Sequence, residues 1–309
     1  MNNSICFNKE KIDLESSTNT LSSSVKLGVY TLPNRIVMAP MSCLRDRYDL
    51  SSSEIVDYYV NKASAGLIVS DPTLISPLEG FSNCPGIYSH WQVERWRDVT
   101  KAVRDCDSKI FLQLWYCEDK KTHCQIGESL HINSLAIDTD FSTVAKLFRR
   151  AAQNALAADF DGVEIHAPFS YADEHHFKQS LKFSRNLERQ IDLLSLIVEE
   201  IASVWDEDRV GIRITPEATL NDLKQSELSD YLYNLFDMFN FYDLAYVHLV
   251  QPIDVRGINR KMFSLVTSIL RCVYEGKVIS SCQNDFQKAK DAIADGRVDL
   301  VSFNDLIAC

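Results

Sequence analysis

FSTVAKLFRRAAQNALAADFDGVEIHA, Phe141 to Ala167, changes its period partway along. In the first part Phe141, Val144, Ala145, Phe148, Ala151, Ala152 and Ala155 recur at three- and four-residue steps, which gathers them on one stripe of an α-helix. After Asp161 the chain becomes GVEIHA (162–167), short and apolar, which reads as a strand. The stripe is packing surface and carries no chemistry. A helix running into a buried-type strand is half of a βα repeat, and the fold turns on whether that unit recurs.

It recurs along the chain. The strand candidates are RIVMAP (35–40), LIVSDPT (67–73), KIFLQLW (109–115), GVEIHA (162–167), VGIRITP (210–216), LAYVHLVQP (244–252), KVISSC (277–282) and DLVSF (299–303). Helical periods lie between them, as in SELSDYLYNLFDMF, where Leu228, Tyr231, Leu232, Leu235, Phe236 and Phe239 share a face. Alternating strands and helices build a parallel sheet, and eight such units predict an α/β (β/α)8 TIM barrel. After the eighth strand nothing remains for a final helix. A doubly wound sheet is the alternative, disfavoured because no GxGxxG follows the first strand.

Bulk properties bound the function. A chain of 309 residues, 46% hydrophobic, is large enough for one big barrel, here residues 26–309, behind a loose N-terminal segment, 1–25. That segment is polar and lacks the apolar core of a signal peptide, and no apolar run approaches membrane-spanning length. The net charge of −11 opposes binding to nucleic acid or anionic lipid and favours a small-molecule partner. Nine cysteines, an odd number with no CxxC pair, suit reduced thiols in a cytoplasmic protein. A homodimer stays open.

In a barrel of this kind the active site forms at the C-terminal strand ends. Those ends read Ala39-Pro40-Met41-Ser42, Asp71-Pro72-Thr73, Gln113-Leu114-Trp115-Tyr116, His166 followed by Tyr171, Arg213, His248, Cys282 and Asn304-Asp305. Polar, aromatic and titratable groups gather there as a site requires. Asp173, Glu174, His175 and His176 are read as a solvated helix start and not a metal site, since no histidine pair has i, i+4 spacing.

The blocks LPNRIVMAPMS, KASAGLIVSDPTLISP, NCPGIYSHWQVERWRDVTKAV, KIFLQLW, FDGVEIHA, DRVGIRITP and LAYVHLV resemble, in order from about Leu27 to Phe303, the old yellow enzymes. These are FMN-dependent ene-reductases that include the 12-oxophytodienoate reductases. The resemblance implies a TIM barrel with a small β-hairpin lid near residues 26–34. It implies FMN across the barrel mouth, reduced by NAD(P)H, with the hydride passed to the β-carbon of an enone. On that resemblance Pro40, Met41 and Ser42 lie beside the flavin ring, Gln113 faces its pyrimidine and Arg213 its N1. His166 is one of two donors to the substrate carbonyl, and Tyr171 gives the α-proton. Trp115, Tyr116, Phe169 and His248 line the substrate.

Several positions depart from the family pattern. HGANGY becomes His166-Ala167-Pro168-Phe169-Ser170-Tyr171, so a phenylalanine replaces the second carbonyl donor. Losing such a donor costs on the order of 3 kcal/mol of transition-state stabilisation. Gly-Gly after strand seven becomes Cys282-Gln283, and Gly-Arg after strand eight becomes Asn304-Asp305. Glycines let backbone N–H groups approach a phosphate, and an arginine attracts it. For unit charges about 4 Å apart at an effective dielectric near 20, each sign of that interaction is roughly 4 kcal/mol. Lys277, Arg256 and Arg260 are the other cations considered for the phosphate.

From these departures the sequence leads to the expectation of a barrel without cofactor. It would work by acid/base isomerisation or cyclisation of an unsaturated carbonyl or polyene in secondary metabolism, with Tyr171 as acid, His166 as carbonyl donor and Arg213 as fixed charge. The alternatives are an FMN- and NAD(P)H-dependent ene-reductase and a non-catalytic scaffold or binding protein.

Overall fold

A computed structural model describes residues 5–6, 20–40, 52–77, 84–116, 141–167, 183–215, 225–250, 259–282, 285–304 and 306–307. The strands in chain order are β1 (Ile5–Cys6), β2 (Val25–Leu27), β3 (Tyr30–Leu32), β4 (Ile36–Met38), β5 (Leu67–Val69), β6 (Thr73–Leu74), β7 (Ile110–Trp115), β8 (Gly162–His166), β9 (Val210–Ile214), β10 (Tyr246–Leu249), β11 (Val278–Ser281), β12 (Leu300–Phe303) and β13 (Leu306–Ile307). The helices are α1 (Ser52–Val60), α2 (His90–Arg104), α3 (Phe141–Ala157), α4 (Phe183–Ala202), α5 (Gln225–Phe239), α6 (Asn259–Val273) and α7 (Phe286–Ala294).

Strands β4 to β12 form one parallel sheet in the order β5-β4-β12-β11-β10-β9-β8-β7-β6, and β5 also pairs with β7, which closes the barrel. Every sequence-predicted strand is present. The second is split: Leu67–Val69 and Thr73–Leu74 both pair with β7, and Ser70-Asp71-Pro72 interrupts the ladder between them. Pro72 has no N–H to offer a ladder. The interruption is tied down locally, because Ser70 Oγ accepts from Gln113 N at 2.9 Å and Tyr59 Oη accepts from Asp71 N at 3.2 Å.

Helices cover the outside. The predicted faces are buried: Val144, Ala145, Phe148, Ala151, Ala152 and Ala155 on α3, and Leu228, Tyr231, Leu232, Leu235, Phe236 and Phe239 on α5. Helix α2 starts with a capping box, Ser89 taking the N–H of Gln92 while the Gln92 side chain takes that of Ser89. Among the described residues, no helix is long and apolar enough to cross a membrane.

The hairpin of β2 and β3 is antiparallel and closes the floor of the barrel, at the N-terminal ends of the strands. Tyr30 Oη donates to the Asp161 carbonyl, just before β8, at 2.8 Å. Lys109 and Arg209, which precede β7 and β9, hold cations 4.8 and 5.6 Å from the Tyr30 ring. The expected hairpin lid is thus present, and it closes the end opposite the mouth. Leu27 and Leu32 pack there with Val37, Leu67, Val69, Phe111, Tyr246, Ile279 and Leu300 in an apolar lower layer inside the barrel.

Candidate functional site

Above that layer the barrel interior turns polar. On β8 the alternation of a strand sends Val163 and Ile165 to the helical side, within the outer core, and leaves Glu164 and His166 facing inward. Glu164 is fully buried, with a relative exposure of 0%, as are Gln113 and His248, and Ser302 is at 1%. A buried carboxylate needs donors, and it has them. Gln113 Nε2 donates to Glu164 Oε1 at 2.6 Å, and His248 Nδ1 lies 2.9 Å from Glu164 Oε2. His248 Nε2 continues the chain to Ser302 Oγ at 2.8 Å. Toward the mouth, Gln113 Oε1 lies 3.4 Å from His166 Nδ1. Four strands, β7, β8, β10 and β12, are thereby joined by side chains.

The protonation states follow from this packing. Burial alone would raise the Glu164 carboxyl, but His248, Arg213 and Gln113 together hold it below the usual carboxylate range. Burial pushes His248 down against the pull of Glu164, so its ring is neutral, donates from Nδ1 and accepts the Ser302 hydroxyl at Nε2. His166 is driven down to about 3, by burial first and then by the adjacent Arg213. Burial also lowers Arg213, yet a guanidinium keeps its proton. This group of side chains thus combines an anion, Glu164, a cation, Arg213, and the neutral imidazoles of His166 and His248.

Arg213 lies beside His166 across the β8–β9 ladder. Its Nε and Nη1 are buried and have no hydrogen-bond partner among the described residues. Unpaired buried guanidinium donors are costly, and in a site they mark where an acceptor is to come.

The other sequence-predicted residues fall into three groups. Pro40 is buried at the end of β4, and Trp115, half-buried at the end of β7, shares the inward side of Gln113. Tyr116 and His248 do not reach the mouth: the Tyr116 ring packs 6.5 Å from Phe148 of α3, on the helical side, and His248 is enclosed with both nitrogens engaged. Met41, Ser42, Phe169 and Tyr171 lie outside the described residues, as do Gln283 and Asp305.

At the ends of β11 and β12, Cys282 is buried, its thiol pushed up to about 11 by burial, and Asn304 is exposed. Lys277, considered for the phosphate, stands at the opposite end of β11 and bonds Asp299 at 3.0 Å. The N-terminus of α7 is capped by the chain's own Asp285, which accepts from Lys288 N at 3.1 Å.

Sequence reading had missed Glu164 and Ser302. The signal for Glu164 was available, since it stands two residues before His166 on a strand and so shares its face.

Residues 21–307 match the model of the NADH:flavin oxidoreductase / NADH oxidase family. A putative 12-oxophytodienoate reductase-like protein 1 of Arabidopsis thaliana is 27% identical over 305 residues, covering 90% of this chain and 93% of its own. 12-oxophytodienoate reductase 1 of Oryza sativa subsp. japonica is 26% identical, covering 91% and 81%. Among solved structures, morphinone reductase superposes with a TM-score of 0.76 at 27% identity, covering 93% of this chain and 86% of that one. The old yellow enzyme from Trypanosoma cruzi gives 0.72 at 26%, covering 92% and 88%.

The family match corrects the expectation of a barrel without cofactor, because the family is one of NADH:flavin oxidoreductases. The isomerisation or cyclisation reading rested on that absence and is withdrawn with it. The ring end carries its own fit: an isoalloxazine presents carbonyl and ring-nitrogen acceptors beside one N–H, and Arg213 holds two unused donor nitrogens beside His166, which lies 3.4 Å from the amide oxygen of Gln113.

Proposed function

The chain belongs to the NADH:flavin oxidoreductase / NADH oxidase family, and from that membership we propose that it is an FMN-dependent reductase using NAD(P)H to saturate the carbon–carbon double bond of an α,β-unsaturated carbonyl compound. When bound, FMN would supply the hydride-transfer chemistry between the nicotinamide and the β-carbon of the enone. The observation that carries the reading is the buried guanidinium of Arg213 with Nε and Nη1 unpartnered among the described residues, next to His166 at the C-terminal end of the barrel.

The chain's own residues then divide the work. Arg213 provides donors and positive charge for the pyrimidine end of the flavin, where negative charge gathers on reduction. Gln113 offers its amide oxygen on the same side. His166, neutral and at the rim, has one N–H to give; once the Gln113 oxygen is engaged by the cofactor, that proton is available to the substrate carbonyl. Phe169 takes the place of a second donor, so the carbonyl is held by fewer bonds than in the family pattern. Tyr171 is assigned the proton for the α-carbon.

Spectroscopy and turnover test this directly. Purified protein incubated with FMN is expected to show flavin absorption after gel filtration and to consume NADPH with 2-cyclohexenone, releasing the saturated ketone. Arg213→Ala should weaken FMN binding at least about tenfold, the scale of one lost hydrogen bond to a charged group. Protein that stays colourless after incubation overturns the proposal.

A further inference from the structure

The carboxylate of Glu164 has no part in the chemistry just described, yet it is fully buried, bonds Gln113 and acts on Arg213, the two groups assigned to the flavin. We propose that Glu164 is a positioning residue: it fixes which end of the Gln113 amide faces the cofactor and supplies the counter-charge that leaves the Arg213 donors open. The inference deepens the flavin reading and rests on it.

The first half follows from hydrogen-bond chemistry. A carboxylate only accepts, so the group 2.6 Å from Glu164 Oε1 must be the NH2 of Gln113, which turns the amide oxygen toward His166 and the mouth. An amide alone has no such preference and presents either end. With Glu164 in place the mouth receives an acceptor at Gln113 and donors at Arg213, an alternating pattern that suits a pyrimidine edge.

The second half follows from what Glu164 does not do. A buried arginine near a carboxylate ordinarily closes on it in a forked pair. Here Oε1 and Oε2 are each taken, by Gln113 and by His248, which Ser302 holds from its far side. Arg213 Nε and Nη1 stay unbonded, although the two charges act on each other. Glu164 therefore offsets the cation at a distance without using up its donors.

The test separates charge from placement with two variants. Glu164→Gln keeps the size and removes the charge. It holds Gln113 unturned when its amide oxygen accepts from Gln113 and its NH2 donates to His248 Nδ1, the His248 proton then sitting on Nε2 and donating to Ser302 Oγ. Glu164→Asp keeps the charge and withdraws it from Gln113. A thermal midpoint and circular dichroism spectrum first confirm that each folds, and either variant alone still carries its half of the test. Reduced flavin is more negative than oxidised flavin, so in Glu164→Gln the unbalanced Arg213 should shift the midpoint potential of bound FMN in the positive direction. In Glu164→Asp the potential should stay near that of the parent protein, while the FMN dissociation constant rises about tenfold. A Glu164→Gln protein with the parent's potential, or equal shifts in both variants, overturns the inference and leaves the flavin reading standing. A parent protein that takes up no FMN removes the flavin reading first, and this inference with it.

Discussion

His166 is the site residue whose state depends most on its surroundings. Its ring is held down to about 3, against an ordinary 6.5, because burial and the neighbouring Arg213 both oppose a second positive charge. Between those values the unfolded chain binds a proton that the native protein refuses, so stability falls as pH falls through the window, by up to about 1.4 kcal/mol per pH unit. The depressed His248 adds the same trend below its ordinary value, and the lowered Glu164 adds it below the carboxylate range. Urea unfolding followed between about pH 7 and pH 4 should show this loss, and His166→Asn should flatten the curve. An unchanged slope in that variant would mean that the imidazole is not held neutral. His166 and Arg213 were legible in the sequence because strand ends concentrate chemistry. Glu164 shares the face of His166, but its role shows only once its partners on two other strands, Gln113 and His248, are known.

At the scale of elements the strands were legible because β-branched runs bounded by turn residues recur between helical stripes, and the structure reproduces all of them. Less legible was the direction each end faces. Tyr116 and His248 both stand near strand ends, but alternation turns Tyr116 to the helices, and the partners of His248 hold it in the buried layer. The hairpin position was also hidden, since nothing in a local turn signal says which end of the barrel it closes. Its turn has a firm requirement nonetheless. Gly28 has φ +52°, and a Cβ there would run into the backbone carbonyl of Asp208. Gly28→Ala therefore combines left-handed strain with a backbone clash and should destabilise the protein by about 2 kcal/mol. Denaturant midpoints measure it, and because the floor lies opposite the mouth, FMN affinity of the folded fraction should be unchanged. A variant as stable as the parent would show that the hairpin is not pinned at that turn.

Across the described residues the barrel stacks a hydrophobic floor below a charged and hydrogen-bonded middle. That order lets the lower layer supply burial while the middle spends stability on alignment. The floor depends on the segment just before β2. Leu21 is buried, its carbonyl accepts from Arg35 N at 2.8 Å, and Arg35 also reaches Ser23 Oγ at 2.9 Å and the Asp299 carbonyl at 2.8 Å. Residues 20–25, inside the stretch read as loose, are thus tied to the barrel. Before them, β1 pairs with β13 over two residues on each side, and so short a pair adds only marginal stability. Deleting residues 1–19 should move the thermal midpoint by no more than about 4 °C, near 1 kcal/mol for a domain of this size. Deleting residues 1–27 removes Leu21, Ser23, Val25 and Leu27 together, opens the floor over Phe111 and Tyr246, and should leave the chain aggregated or lower the midpoint several times further. Thermal melts of the two truncations decide it: a collapse already on removal of residues 1–19 would place the essential boundary at β1, whereas a fully stable chain starting after Leu27 would show that the plug is dispensable.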